Sequence, residues 1–81
     1  MEARPIEERV ATVFQRALGL PAQVEWSALE YRSEPRWDSV GHLHLVTELE
    51  REFRIVIAND DVLNLTSFGE VVETVRKYVF D

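Results

Sequence analysis

The sequence predicts a small all-α protein: a four-helix bundle of three main helices and one short helix, with a long loop between the first and second helices. Three observations predict it. Apolar residues recur at three- and four-residue spacing in three separate segments. Gly, Pro and capping residues fall at the ends of those segments. The one stretch that alternates like a strand has no second stretch to pair with.

The first helix is read from Ile6 to Leu18, where Ile6, Val10, Val13, Phe14, Ala17 and Leu18 form a single apolar stripe. Pro5 suits the first helical position, and Glu7 and Glu8 place negative charge in the first turn. Gly19-Leu20-Pro21 is a stop, because Gly takes the left-handed cap and Pro cannot continue the helix. Residues 20–37 lack any sustained period and form a long connection. Trp26, Leu29, Tyr31 and Trp37 along it are expected to tie it down by burying aromatic area.

The second helix is read from Ser39 to Phe53, capped by Asp38 or Ser39, with Val40, Leu43, Leu45, Val46, Leu49 and Phe53 on a broad apolar face. Arg54-Ile55-Val56-Ile57 reads as an extended connector that buries Ile55 or Ile57. Asn59-Asp60-Asp61 then opens a short helical turn reaching Asn64. The last helix starts at Thr66 or Ser67, where Ser67 and Glu70 fit a capping box, and continues through Phe68, Val71, Val72, Val75 and Val79. Arg76 and Lys77 complement its dipole.

Composition bounds the function. The 81 residues make one domain, read as 1–81, with 46% hydrophobic residues for a core and no cysteine for a disulfide, a thiolate nucleophile or a soft metal ligand. The net charge of −6 argues against nucleic-acid and anionic-membrane binding. The acidity is concentrated: residues 38–73 hold eight acidic and two basic side chains. That field would steer a basic partner. Met1-Glu2-Ala3-Arg4-Pro5 has no signal-like stretch, so a soluble cytoplasmic monomer is expected.

Few residues suit catalysis. His42 and His44 lie two apart on a helix and point about 200° away from each other, so they cannot share a metal. Ser39 and His42 are three apart and share a face, but a nucleophile pair also needs an orienting acid and an oxyanion hole, which nothing supplies. No metal site and no catalytic set is expected.

Asp38-Ser39 taken alone is a helix cap. The surrounding run, Trp37-Asp38-Ser39-Val40-Gly41-His42-Leu43-His44-Leu45-Val46-Thr47-Glu48-Leu49-Glu50-Arg51-Glu52-Phe53, resembles the attachment helix of acyl carrier proteins. That family's pattern is Asp-Ser-Leu, apolar helix positions, then Leu-Glu-x-x-Phe. Ile55-Val56-Ile57-Ala58-Asn59-Asp60-Asp61 is similar to the family's next block, and Leu65-Thr66-Ser67-Phe68 with Val71-Val72 to its entry into the last helix. The blocks stand in register without gaps over residues 37–79, and residues 5–21 match more loosely.

The resemblance implies a carrier with no catalysis of its own. A phosphopantetheinyl transferase would take 4'-phosphopantetheine from coenzyme A and attach it to Ser39, and acyl groups would ride on the arm as thioesters. Acyl-loading and acyl-transferring enzymes with basic docking surfaces would meet Asp38, Glu50, Asp60 and Asp61, with Val40 as the apolar contact beside the arm. Gly41, His44 and Arg51 depart from positions commonly acidic in fatty acid carriers, which points to polyketide or other secondary metabolism. Gly41 also weakens its helical turn by about 1 kcal/mol relative to Ala. An aminoacyl, peptidyl or D-alanine carrier is an alternative, although Arg36-Trp37-Asp38 replaces the Gly-Gly pair usual in peptidyl carriers. A protein-interaction module of the same fold that is never loaded is another.

Overall fold

A computed structural model describes residues 4–80. Met1-Glu2-Ala3, most of the segment read for a leader, and Asp81 lie outside the described residues. Four helices follow in order: α1 (Ile6–Leu18), α2 (Ser39–Phe53), α3 (Asn59–Leu63) and α4 (Phe68–Phe80). No strand forms among the described residues, so the all-α prediction holds; the nearest to one is an isolated bridge between Glu30 and Ser67.

The bounds of α1 follow its local signals. Pro5 sits one residue earlier than expected, at the N-cap, where its carbonyl accepts from the N–H groups of Glu8 and Arg9. Gly19 closes the helix in the left-handed region at φ 65. The apolar stripe packs on α2 and α4. Val10, Val13 and Phe14 have no exposed surface, and neither do Leu45 and Leu49 of α2 or Val71 and Val75 of α4. Burying each such side chain stabilises the fold by about 1.5–3 kcal/mol. Arg9 joins α1 to the end of α2: its Nε lies 3.1 Å from Glu52 Oε2, and its guanidinium lies 4.4 Å over the Phe53 ring.

The long loop is fastened by aromatic residues, as its spacing predicts. Trp37 is completely buried and meets Phe14 edge-on at 5.0 Å, while Trp26 meets Phe68 at 4.8 Å. Each such pair contributes about 0.5–1.5 kcal/mol beyond its buried area. A short 3-10 turn at Trp26–Ala28, not legible in the sequence, sets Trp26 toward α4. The Glu30–Ser67 bridge supplies the loop's backbone tie, with Tyr31 N–H donating to Thr66 O at 2.9 Å.

After α2 the chain turns at Arg54, a non-glycine residue at φ 55. The connector buries Ile57, half-buries Ile55 and leaves Val56 exposed. Its backbone donors are satisfied without a sheet: Ile57 N–H reaches Glu50 Oε2 and Ala58 N–H reaches the Tyr78 hydroxyl, each at 2.8 Å. Ser67 Oγ accepts from Glu70 N–H at 3.2 Å, completing one half of the expected capping box. Arg76 and Lys77 do more than face the dipole of α4. Arg76 pairs with Glu7 of α1, and Lys77 Nζ lies 2.9 Å from Asp61 Oδ1 of α3.

Candidate functional site

The start of α2 is set by Asp38. Its backbone is extended, and its Oδ1 accepts from Gly41 N–H at 2.8 Å. Such a cap stabilises a helix by about 1 kcal/mol. The cap is therefore Asp38 rather than Ser39, which leaves the Ser39 hydroxyl exposed in the first turn.

Gly41 explains how that turn fits. A Cβ at this position would lie 2.3 Å from the Arg36 carbonyl oxygen and 2.9 Å from Leu18 Cδ2. The turn bearing Ser39 packs so closely on the preceding loop and the end of α1 that only glycine fits. The residue that looks like a local weakness is thus a packing requirement. Its presence carries no information about which pathway the protein serves.

His42 is used structurally. Trp37 Nε1 donates to His42 Nδ1 at 2.9 Å, and His42 Nε2 lies 2.9 Å from Val62 O. An indole nitrogen only donates, so Nδ1 is the acceptor and Nε2–H donates to the carbonyl. The ring links the loop end, α2 and α3, and neither nitrogen is available to Ser39. The shared face of Ser39 and His42 therefore does not make a nucleophile pair. His44 is exposed on another side of the helix.

The neighbour that Ser39 does have is Tyr31, whose hydroxyl lies 3.4 Å from Ser39 Oγ, a long contact. Two backbone features bring Tyr31 there: its N–H is held by Thr66 O, and the next residue, Arg32, turns the chain at φ 72 and donates to Trp37 O at 3.0 Å. An open groove of about 430 Å³ runs beside Ser39, lined by Arg32, Glu34, Pro35, Trp37, Asp38 and Val40. Sequence reasoning placed Tyr31 only as a loop anchor and gave Arg32 no part. Seven residues of irregular backbone, 32–38, lie between Tyr31 and Ser39, and no periodicity relates the two.

The acidic positions differ in what they do. Glu50 accepts the Ile57 N–H, and Asp61 is held by Tyr78 and Lys77. The Tyr78 hydroxyl, 2.6 Å away, is the main reason the Asp61 carboxyl lies below its ordinary 3.8; Lys77 adds to the effect and partial burial opposes it. Asp60 is exposed. Val40 and Leu43 are 61% and 64% exposed, so the apolar face of α2 is narrower than its sequence implies, and Leu63 of α3 is 77% exposed beside it in the chain order.

Comparison with known proteins finds a similar chain of known family. The chain is 29% identical over 75 residues to the acyl carrier protein of Buchnera aphidicola subsp. Baizongia pistaciae (strain Bp), a match covering 93% of this chain and 96% of that one. The chain is thus similar to an acyl carrier protein over nearly its whole length. No protein-family model matches it, and no solved structure matches it significantly. That similarity supports a carrier role, and among the described residues no helix is long and apolar enough to cross a membrane.

Proposed function

We propose that this protein carries acyl intermediates as thioesters on a 4'-phosphopantetheine arm attached to Ser39. The observation that carries the reading is the placement of Ser39: an exposed primary hydroxyl in the first turn of α2, relieved of capping by Asp38 and bordered by an open groove. Partial positive charge at a helix start favours an attached phosphate. The residues present fit such a group, because the Tyr31 hydroxyl contacts the attachment oxygen and Arg32 lines the same groove. The arm would supply the thiol that this cysteine-free chain lacks.

Loading would form a Ser39 oxygen–phosphorus bond as the diphosphate of coenzyme A is cleaved. Adenosine 3',5'-bisphosphate leaves, and the hydroxyl proton passes to the transferase. The chain's own residues anchor and present. Asp38 fixes the helix start, Gly41 lets it sit close to the core, and Val40 offers an exposed apolar contact. Asp38, Glu50, Asp60 and Asp61 would steer basic partner enzymes, an attraction that is weak, fast and salt-sensitive. Exposed His44 and Arg51 make α2 less acidic than the fatty acid pattern, which supports a dedicated carrier in polyketide or other secondary metabolism. We place it in the cytoplasm as a monomer.

The test is an intact mass after incubation with coenzyme A, magnesium and a broad-specificity phosphopantetheinyl transferase. One added arm, lost in Ser39→Ala, is expected. An unchanged mass with several transferases refutes the reading. For the docking surface, Asp60→Lys is the cleaner reversal, since Glu50→Lys would also remove the acceptor for Ile57 N–H. An affinity for the cognate enzyme that does not fall in Asp60→Lys, at low salt, would remove Asp60 from the surface.

A further inference from the structure

We propose that Tyr31 and Arg32 form a clamp on the phosphodiester at Ser39, and that the groove walled by Pro35 and Val40 seats the pantetheine arm against the loop between α1 and α2. This inference rests on the loading of Ser39.

Chemistry and placement argue for it together. Tyr31 is the side chain in contact with the attachment oxygen, at 3.4 Å. Esterification removes the Ser39 proton, so in the loaded protein the Tyr31 hydroxyl is the donor. A hydrogen bond to an ionised phosphate is shorter and about twice as strong as one between neutral groups. Loading thus converts a weak contact between two hydroxyls into a charge-assisted one.

Arg32 supplies the charge. It lines the same groove as Ser39, and its side chain makes no ion pair or hydrogen bond among the described residues. Both carboxylates of the groove are already engaged. Glu34 takes the Arg36 backbone N–H at 2.8 Å and lies 3.3 Å from the Arg36 guanidinium, while Asp38 takes the Gly41 N–H. Arg32 is thus the groove's uncommitted cation. Its backbone is held in the left-handed region at φ 72, which non-glycine residues seldom adopt, by the bond to Trp37 O. A guanidinium forks onto two phosphate oxygens, which a serine hydroxyl does not offer.

The groove extends the site beyond the phosphate. Its volume of about 430 Å³ lies within the range of small-molecule sites, roughly 300–1,000 Å³. Its lining combines apolar Pro35 and Val40 with polar edges, matching an arm built of a dimethyl segment and two amides.

The test compares the wild-type chain with Tyr31→Phe, Arg32→Ala and Arg32→Lys, all loaded from coenzyme A and checked by intact mass and melting. Phosphorus NMR reads the diester, and nuclear Overhauser contacts locate the arm. In the wild type, contacts from the arm's dimethyl protons to Pro35 and the Val40 methyls are expected. The phosphorus resonance should also shift when the protein is unfolded in urea. Arg32→Ala should lose the contacts and most of the shift, Arg32→Lys should recover part of both, and Tyr31→Phe should reduce the shift, with melting unchanged in the unloaded forms. Complete loading with arm contacts elsewhere, or with the same spectrum in all variants, overturns the clamp alone. A wild-type chain that gains no mass overturns the attachment at Ser39 together with it.

Discussion

Substituting Gly41 by Ala should destabilise the protein, although helix propensity alone predicts the reverse. In a free helix interior the change stabilises by about 1 kcal/mol. Here the new Cβ would stand 2.3 Å from the Arg36 carbonyl oxygen, against 3.4 Å for ordinary contact, so about 1 Å of backbone separation is required. Leu18 Cδ2, at 2.9 Å, can yield as a side chain; the carbonyl cannot move without shifting the loop that ends at the Asp38 cap. Overpacking a tight site costs about 1–3 kcal/mol, and the upper half of that range applies to a backbone obstacle. Subtracting the propensity gain leaves a net loss of about 1–2 kcal/mol. For a domain of this size that lowers the melting temperature by about 4–16 °C. The assay is thermal unfolding followed by circular dichroism. Gly69→Ala is the control, since a Cβ there meets nothing within 4 Å and the residue lies inside α4. It should gain up to about 1 kcal/mol. A Gly41→Ala protein as stable as the wild type would refute the packing account.

Other predictions follow from the same contacts. Replacing Tyr78 by Phe removes the donor to Asp61 and the acceptor for Ala58 N–H, and should cost about 1–2 kcal/mol by chemical denaturation. In that variant, the Asp61 titration followed by NMR should move up toward 3.8. Because the folded carboxyl titrates below its ordinary value, its contribution is fully present above pH 3.8 and is lost as the pH falls below that through the folded value. A wild-type Asp61 titrating at or above 3.8 would contradict the Tyr78 contact. His42→Phe leaves the buried Trp37 N–H and the Val62 carbonyl without their partner, and should cost about 2 kcal/mol. Nitrogen-15 shifts of the wild-type ring should report a proton on Nε2 and none on Nδ1; the opposite tautomer would contradict the assigned geometry.

What was legible in the sequence was whatever depends on neighbouring residues. The limits of α1 and α2 coincide with the prediction because Pro5, Gly19 and Asp38 act on the backbone beside them. A connector burying Ile55 or Ile57 was recognisable because no partner existed for a strand, but the choice of Ile57 was not. What was not legible depends on residues meeting from distant segments. Gly41 reads as a soft spot until Arg36 and Leu18 are seen against it. His42 reads as a companion of Ser39 by helical spacing, yet Trp37 and Val62 claim both of its nitrogens. Leu43 has the spacing of a core residue, but the short α3 does not cover it. Ser39 itself was legible only through the register of motifs around it, whereas its neighbours Tyr31 and Arg32 carry no local signal at all.

The two tryptophans stand in different optical surroundings. Trp37 is completely buried, adjoins Ser39 by two residues and donates to the His42 ring, while Trp26 is partly exposed near the start of α4. A Trp26→Phe chain would keep one intrinsic chromophore, buried in the core two residues before Ser39. Its emission would then track cargo and enzyme encounters at Ser39 without any added label, in real time and at micromolar concentration.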